Sequence, residues 1–97
     1  MHQNRIRHLR MEIDRLRRVG GVKSRDLERL AARLGRKRHR RGKEPTWISE
    51  MLPEARPLSI PSHARDLNRI TARTILDLLE ADLDAIEQKL RSGGICA

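Results

Sequence analysis

Apolar side chains recur at steps of three and four residues in the first third of the chain, which is the spacing of one face of an α-helix. Gly20 and Gly21 are expected to end a first helix. A second amphipathic helix is predicted to begin at Ser24 as its N-cap and to stop at Gly35. The two apolar stripes consist of Ile6, Leu9, Ile13 and Leu16, and of Leu27, Leu30, Ala31 and Leu34.

Helical periodicity then disappears, and four prolines leave room only for short extended pieces. Strands are predicted over residues 36–41, 46–50 and 57–60, although the first contains no apolar residue. A long helix follows, with Thr71 as its predicted N-cap, and its expected apolar face consists of Ile75, Leu78, Leu79, Leu83, Ile86 and Leu90. The pattern predicts one α+β domain, in which an N-terminal helix precedes an α-β-β-β-α order with the helices on one face of a small antiparallel sheet.

Basic residues outnumber acidic ones by 22 to 13, and the excess is unevenly placed. Residues 1–43 hold sixteen Lys and Arg against four acids, whereas residues 77–87 hold five acids and no base. Nucleic acid is the leading partner class, because cations that bind phosphates release condensed counterions. The acidic part of the last helix is expected to pack against the basic first helix, either within one chain or in a homodimer formed through residues 1–19 and the C-terminal helix.

The sequence disfavours several other classes of protein, namely membrane, secreted, disulfide-bonded and metal-binding proteins. No apolar run approaches the ~20 residues of a membrane span and the N-terminus lacks a signal-peptide centre, so a cytoplasmic protein with no membrane partner is expected. The single Cys96 has no cysteine to pair with. The four histidines show no ligand spacing, and the residues around Gly42 lack the upstream glycine of a phosphate loop. Neither a metal nor another cofactor is predicted.

Residues 36–43, RKRHRRGK, carry six positive charges in eight positions. Such a run is typical of a solvated loop, but its place between a helix stop and a strand-like segment favours an ordered part of the fold. His63, just after the last predicted strand, is either a loop histidine bonded to the backbone or a base or phosphate contact. Phosphates of a nucleic acid, DNA or RNA, are expected over Lys37, Arg38, Arg40, Arg41 and Lys43, with Trp47 either in the core or stacked on a base.

Three segments in order, KSRDLERLAARLG, RGKEPTW and PLSIPSHARDLNRITARTILDLLE, resemble the HicA toxins of bacterial toxin–antitoxin modules over about residues 22–83. The resemblance implies a fold similar to the double-stranded RNA-binding domain and activity as a ribosome-independent mRNA interferase that needs no metal. It also implies an adjacent HicB antitoxin that covers the active site. The chain would then comprise a helical extension over residues 1–21, a HicA-like domain over 22–92 and a flexible tail over 93–97.

The family's catalytic His lies in a Gly-X-His turn between the first two strands, and here that turn reads Gly42, Lys43, Glu44. A His with a pKa near 6.5 can exchange a proton at neutral pH, whereas a Glu with a pKa of about 4.3 stays an anion and repels phosphate. The resemblance thus implies an active site at Glu44, and His39 or His63 is the candidate auxiliary acid if Glu44 acts as the base. Three interpretations follow: a variant that uses Glu44 as general base, a toxin disarmed at its catalytic position, or a non-catalytic nucleic-acid-binding regulatory protein.

Overall fold

Three helices and three strands make up the part of the chain that the computed structural model describes, residues 3–40, 45–61 and 67–92. The α+β class and the predicted order of elements are confirmed, and each strand begins and ends within one residue of its predicted bounds. The predicted tail over 93–97 lies outside the described residues. The elements are α1 Gln3–Arg18, α2 Ser24–Arg33, β1 Arg36–Arg40, β2 Pro45–Ser49, β3 Leu58–Ser59 and α3 Arg69–Arg91.

The three strands form one antiparallel sheet in the order β1-β2-β3, so β1 and β3 are its edges. Arg38 pairs with Trp47, and Trp47 pairs with Leu58 across the sheet. Because side chains alternate between the two faces of a strand, Trp47 and Leu58 are buried, whereas Ile48 and Ser59 are exposed on the opposite face. The helices cover the buried face, as predicted.

One aliphatic core joins all three helices to the sheet, and the stripe of α1 belongs to it. Ile6, Leu9, Ile13 and Leu16 are all buried, so α1 is packed into the same core as α2 and α3. The predicted apolar face of α3 needs one correction, because Leu78 is 45% exposed and Leu76 is buried instead. At 3.6 residues per turn, Leu78 lies farther than Leu76 from the centre of the face that Leu79 and Ile86 define.

The helix ends differ from the predicted caps. Ser24 is the first residue of α2 rather than its N-cap, and its hydroxyl donates a hydrogen bond to the carbonyl of Pro61. Helix α3 begins at Arg69, where the Oδ1 atom of Asn68 accepts a hydrogen bond of 2.8 Å from the amide of Ile70, so Thr71 is not the cap. In α3, Asn68 takes the role that was predicted for Thr71, and in α2 the N-cap position falls on Lys23.

Gly35 ends α2 as predicted and turns the chain into β1. Its φ of 91° lies in the left-handed region, which residues with a Cβ atom rarely adopt. A Cβ atom at this position would also approach the Sδ atom of Met51 to 2.9 Å. The end of α2 at Gly35 is therefore fixed both by the backbone conformation of the glycine and by the packing of Met51 against it.

Helices α1 and α3 pack antiparallel within one chain. Arg10 reaches Asp84 and Glu87 at 2.8 and 2.6 Å, whereas Arg17, farther along α1, reaches Asp77 at 2.8 Å. The residue number on α1 rises as the number on α3 falls, which defines the antiparallel arrangement. The intramolecular alternative of the sequence prediction is therefore observed, and a homodimer stays a prediction. In the described ranges, no helix combines the length and apolar character that a membrane crossing requires.

Candidate nucleic-acid interface

Strand β1 carries consecutive exposed basic residues at an edge of the sheet. Lys37, Arg38 and His39 are all exposed. Since side chains on a strand alternate, Lys37 and His39 lie on the open face of the sheet, and Arg38 lies on the side of the helices. Neighbouring basic residues of β1 therefore lie on opposite faces of the sheet. A single flat phosphate-binding surface would require them all on one face, but they do lie along the same open edge. Such charges also protect an edge strand from pairing with other chains.

The cations of this edge have few anionic partners in the described part of the chain. Lys37 forms an ion pair of 3.1 Å with Glu50, and both side chains are exposed. An exposed pair of this kind contributes about 0–1 kcal/mol, so a phosphate can replace the carboxylate at little cost. No carboxylate of the described residues lies within ion-pair distance of Arg38. The edge is therefore open to an anionic ligand.

The first cation of the basic run has a different role. Arg36 is buried, and its guanidinium donates two hydrogen bonds to Asp82, from Nε to Oδ2 at 2.6 Å and from Nη2 to Oδ1 at 2.9 Å. Its Nη1 atom donates to the carbonyls of Trp47 and Arg56 at 2.9 and 3.0 Å. Arg36 thus holds β1, β2 and the following loop to α3, and it is unavailable to a ligand.

This buried pair was not predicted from the sequence, although one signal for it exists. Asp82 lies three residues after Leu79 and four before Ile86, so it occupies a position on the apolar face of α3. An acid at such a position needs a buried partner, because an unpaired charge in the core is costly. The partner had to be one of the many bases, and the charge count does not single out Arg36.

Trp47 lies in the core, with 7% of its surface exposed. The prediction that its ring is a core residue is confirmed, and its inclusion among the RNA-binding residues is not supported, because a base has no access to the buried ring. The indole Nε1 atom has no hydrogen-bond acceptor among the described residues. Strand β2 therefore contributes packing to the interface and no stacking platform.

The register of the sheet brings several predicted site positions toward one end. Arg40 pairs with Pro45, and Thr46 pairs with Ser59, so the end of β1, the start of β2 and the end of β3 lie together. His39 is also at this end, opposite Thr46. The remaining predicted site residues, Arg41, Lys43, Glu44 and His63, lie outside the described residues, as does the side chain of Arg40, and their roles stay predictions.

The acidic block of α3 is neutralised within the fold. Asp77 and Glu80 pair with Arg17, Asp84 and Glu87 pair with Arg10, and Asp82 pairs with Arg36. Arg10 donates hydrogen bonds to Glu87 and Asp84, and these bonds raise the pKa of its guanidinium above the ordinary value. All five acids of residues 77–87 are thereby paired with Arg10, Arg17 or Arg36, and none of them pairs with Lys37 or Arg38.

No metal centre is present within residues 3–40, 45–61 and 67–92, where no three His, Cys, Asp or Glu side chains come together in a group able to hold an ion.

Comparison of the chain with models of protein families, with curated proteins and with solved structures gives no match.

Proposed function

We propose that this chain is a small RNA-binding domain that holds RNA phosphates along the edge of β1. The observation that carries the proposal is the separation of charge: the acids of α3 are paired inside the fold, while Lys37 and Arg38 remain exposed at the sheet edge. A cationic edge of this kind gains free energy from each phosphate it neutralises. The order α2-β1-β2-β3-α3, with the helices on one face, supports a fold like that of the double-stranded RNA-binding domain.

The proposed activity is that of a HicA-type toxin, a ribosome-independent endoribonuclease that cleaves mRNA through the 2′-hydroxyl without a metal. This part of the proposal rests on the resemblance of the sequence motifs. In this chain Glu44 occupies the position of the family's catalytic His, and an anion there repels the phosphate. We therefore infer impaired catalysis, with a HicB-type antitoxin as the protein partner.

A non-catalytic regulatory protein that binds RNA or DNA is the second candidate. His39 is the one proposed acid–base group whose side chain the structure describes, and none of the hydrogen bonds or ion pairs of the described residues involves its imidazole. In many acid–base sites a hydrogen-bonded neighbour orients the base. The unsupported imidazole favours binding without chemistry.

The test is to restore the expected histidine. Glu44→His should create cleavage of an unstructured RNA and arrest growth on expression, because a neutral imidazole can exchange protons where the carboxylate does not. Products that end in a 2′,3′-cyclic phosphate would support attack by the 2′-hydroxyl. Glu28→His is the matched control, since it makes the same substitution on α2 and not in the predicted Gly-X-His turn.

The outcomes separate the interpretations. Cleavage by the parent chain as well as by Glu44→His would contradict the disarmed toxin and support Glu44 as a general base. RNA binding without cleavage by either protein would support the regulatory candidate. Absence of salt-sensitive RNA binding in all three proteins would overturn the proposal as a whole.

A further inference from the structure

A pocket of about 370 Å³ opens between the end of α1, the α1–α2 connection and the first turns of α3. Its volume lies in the range of ligand sites in proteins. Apolar side chains of Leu16, Val22 and Leu76 line it, and no residue of β1 does. The pocket is therefore a separate feature from the basic edge of the sheet.

Three arginines at this pocket have no anionic partner in the described part of the chain. Arg18, Arg69 and Arg73 line it, and none of them lies within ion-pair distance of a described carboxylate. Arg17 also lines the pocket, but Asp77 and Glu80 hold its guanidinium. The positive charge of the other three is thus available to a ligand.

One of these arginines, Arg69, is the first residue of α3, a position that disfavours a cation. Arg73 lies one turn farther along, and the first turn of this helix contains no acid. The helix macrodipole is positive at the N-terminal end, so a cation there costs stability and a bound anion offsets the cost. Helix α2 follows the usual preference, with Asp26 in its first turn.

Exposed apolar side chains accompany the charge. Val19 lines the pocket and is 43% exposed. Ile70, the second residue of α3, is 75% exposed. The apolar lining is aliphatic, so a nucleobase would find only the guanidinium planes of the arginines to stack on and no aromatic ring. Trp47 is the single aromatic residue of the chain, and it is buried in the core. Exposed aliphatic surface gains free energy when an aliphatic side chain covers it, and a protein ligand supplies such a side chain whereas RNA does not.

We propose that this pocket binds an acidic peptide segment of a partner protein that carries an aliphatic anchor residue. The carboxylates of the segment would pair with Arg18, Arg69 and Arg73, and the anchor would contact Val19 and the aliphatic lining. The charges of the two sides are complementary, and the anchor removes exposed apolar surface from water. The site does not depend on RNA binding at β1.

Fluorescence anisotropy with short labelled peptides tests the site on the full chain. The probe is a peptide in which glutamates flank a central leucine, and its control has glycine in place of the leucine. We expect the leucine peptide to bind, and the glycine peptide to bind about tenfold more weakly, because burial of an aliphatic side chain is worth more than one tenfold step in affinity.

Three protein variants locate the binding. Arg69→Glu with Arg73→Glu should lower affinity for the leucine peptide by at least about tenfold, while its melting temperature stays equal or rises because acids suit the start of α3. Arg5→Glu with Arg7→Glu, at exposed positions of α1, makes the same change of net charge and should leave affinity nearly unchanged. Val19→Ser should weaken the leucine peptide and not the glycine peptide.

Equal losses in the two charge-reversal variants would overturn the proposal, because only net charge would then matter. Equal affinity for the two peptides would also overturn it. A polyuridine oligonucleotide serves as the third probe. If it displaced the leucine peptide and bound more weakly to the variant with Arg69→Glu and Arg73→Glu, the pocket would belong to an RNA site instead.

Discussion

The guanidinium of Arg36 and the carboxylate of Asp82 form a buried pair between β1 and α3, joined by hydrogen bonds of 2.6 and 2.9 Å across 46 residues of sequence. The pair is bidentate, which is the strongest geometry for these two groups. Two backbone carbonyls accept the remaining described hydrogen bonds of Arg36, so its charge is well satisfied without water. The contact ties the edge strand β1 to the long helix α3.

Breaking this pair on one side should destabilise the protein strongly. Asp82→Asn leaves the buried guanidinium without its counter-charge, and we expect a loss of about 3–5 kcal/mol in the free energy of unfolding. Urea denaturation followed by circular dichroism measures the loss. Glu50→Gln is the control, because it breaks the exposed pair with Lys37 and should cost no more than about 1 kcal/mol.

Replacement of both partners gives a sharper test. Arg36→Met combined with Asp82→Leu removes both buried charges, and we expect it to be more stable than Asp82→Asn alone. Similar stability of Asp82→Asn and Glu50→Gln would show that the pair is not desolvated in solution. That result would contradict the burial of Arg36.

Helix α1 should be necessary for stability, because its stripe lies in the common core. Leu9→Ala removes a fully buried side chain, and we expect it to cost about 2–5 kcal/mol. Met11→Ala is the matched control on the same helix, since Met11 is 62% exposed, and it should change stability by less than about 0.5 kcal/mol. Equal effects of the two substitutions would indicate a detachable extension.

Much of this fold could be predicted from apolar spacing and from prolines. The four stripe positions of α1 are all buried, and the strands lie within the segments that the prolines delimit. Hydrophobic periodicity succeeds here because a helix buries one face and a short strand alternates. Even β1, which has no apolar side chain, was predictable from the helix stop before it and the turn residues after it.

Two parts of the structure could not be predicted, for physical reasons. A run of bases does not reveal which one is buried, because the burial of Arg36 depends on Asp82, far away in sequence. The cap of α3 differs from the prediction because Asn68 and Thr71 both have cap-forming side chains, and packing of the helix decides between them. The candidate catalytic position Glu44 lies outside the described residues, so its chemistry rests on the sequence.

Stability should depend on pH through the carboxyl of Glu12. The hydrogen bonds from Arg15 lower the pKa of this carboxyl below its ordinary value of 4.5. A lowered pKa means that its contribution is present above the unfolded pKa and is lost as the pH falls through the folded one. Glu12→Gln should therefore be less stable than the parent at about pH 7, by no more than about 0.5 kcal/mol for a largely exposed pair.

Urea denaturation of both proteins from about pH 7 to about pH 2 measures this difference. We expect the two curves to converge in acid, because the parent carboxyl is then protonated like the neutral amide of the variant. Asp14→Asn on the same helix is the control, since no ion pair of the described residues involves Asp14. A difference that grows as the pH falls would contradict the lowered pKa of Glu12.

RNA affinity should depend on the exposed cations of β1 in a way that salt reveals. Lys37→Gln combined with Arg38→Gln should weaken binding to all RNA sequences alike and reduce the salt slope by about 0.7 for each phosphate of a single strand that the variant no longer neutralises. Arg5→Gln with Arg7→Gln removes the same charge from α1 and should leave the slope nearly unchanged, provided that phosphates lie along the sheet edge. Equal reductions in both variants would place the RNA in a diffuse field around the whole protein, because binding would then follow net charge rather than the position of β1.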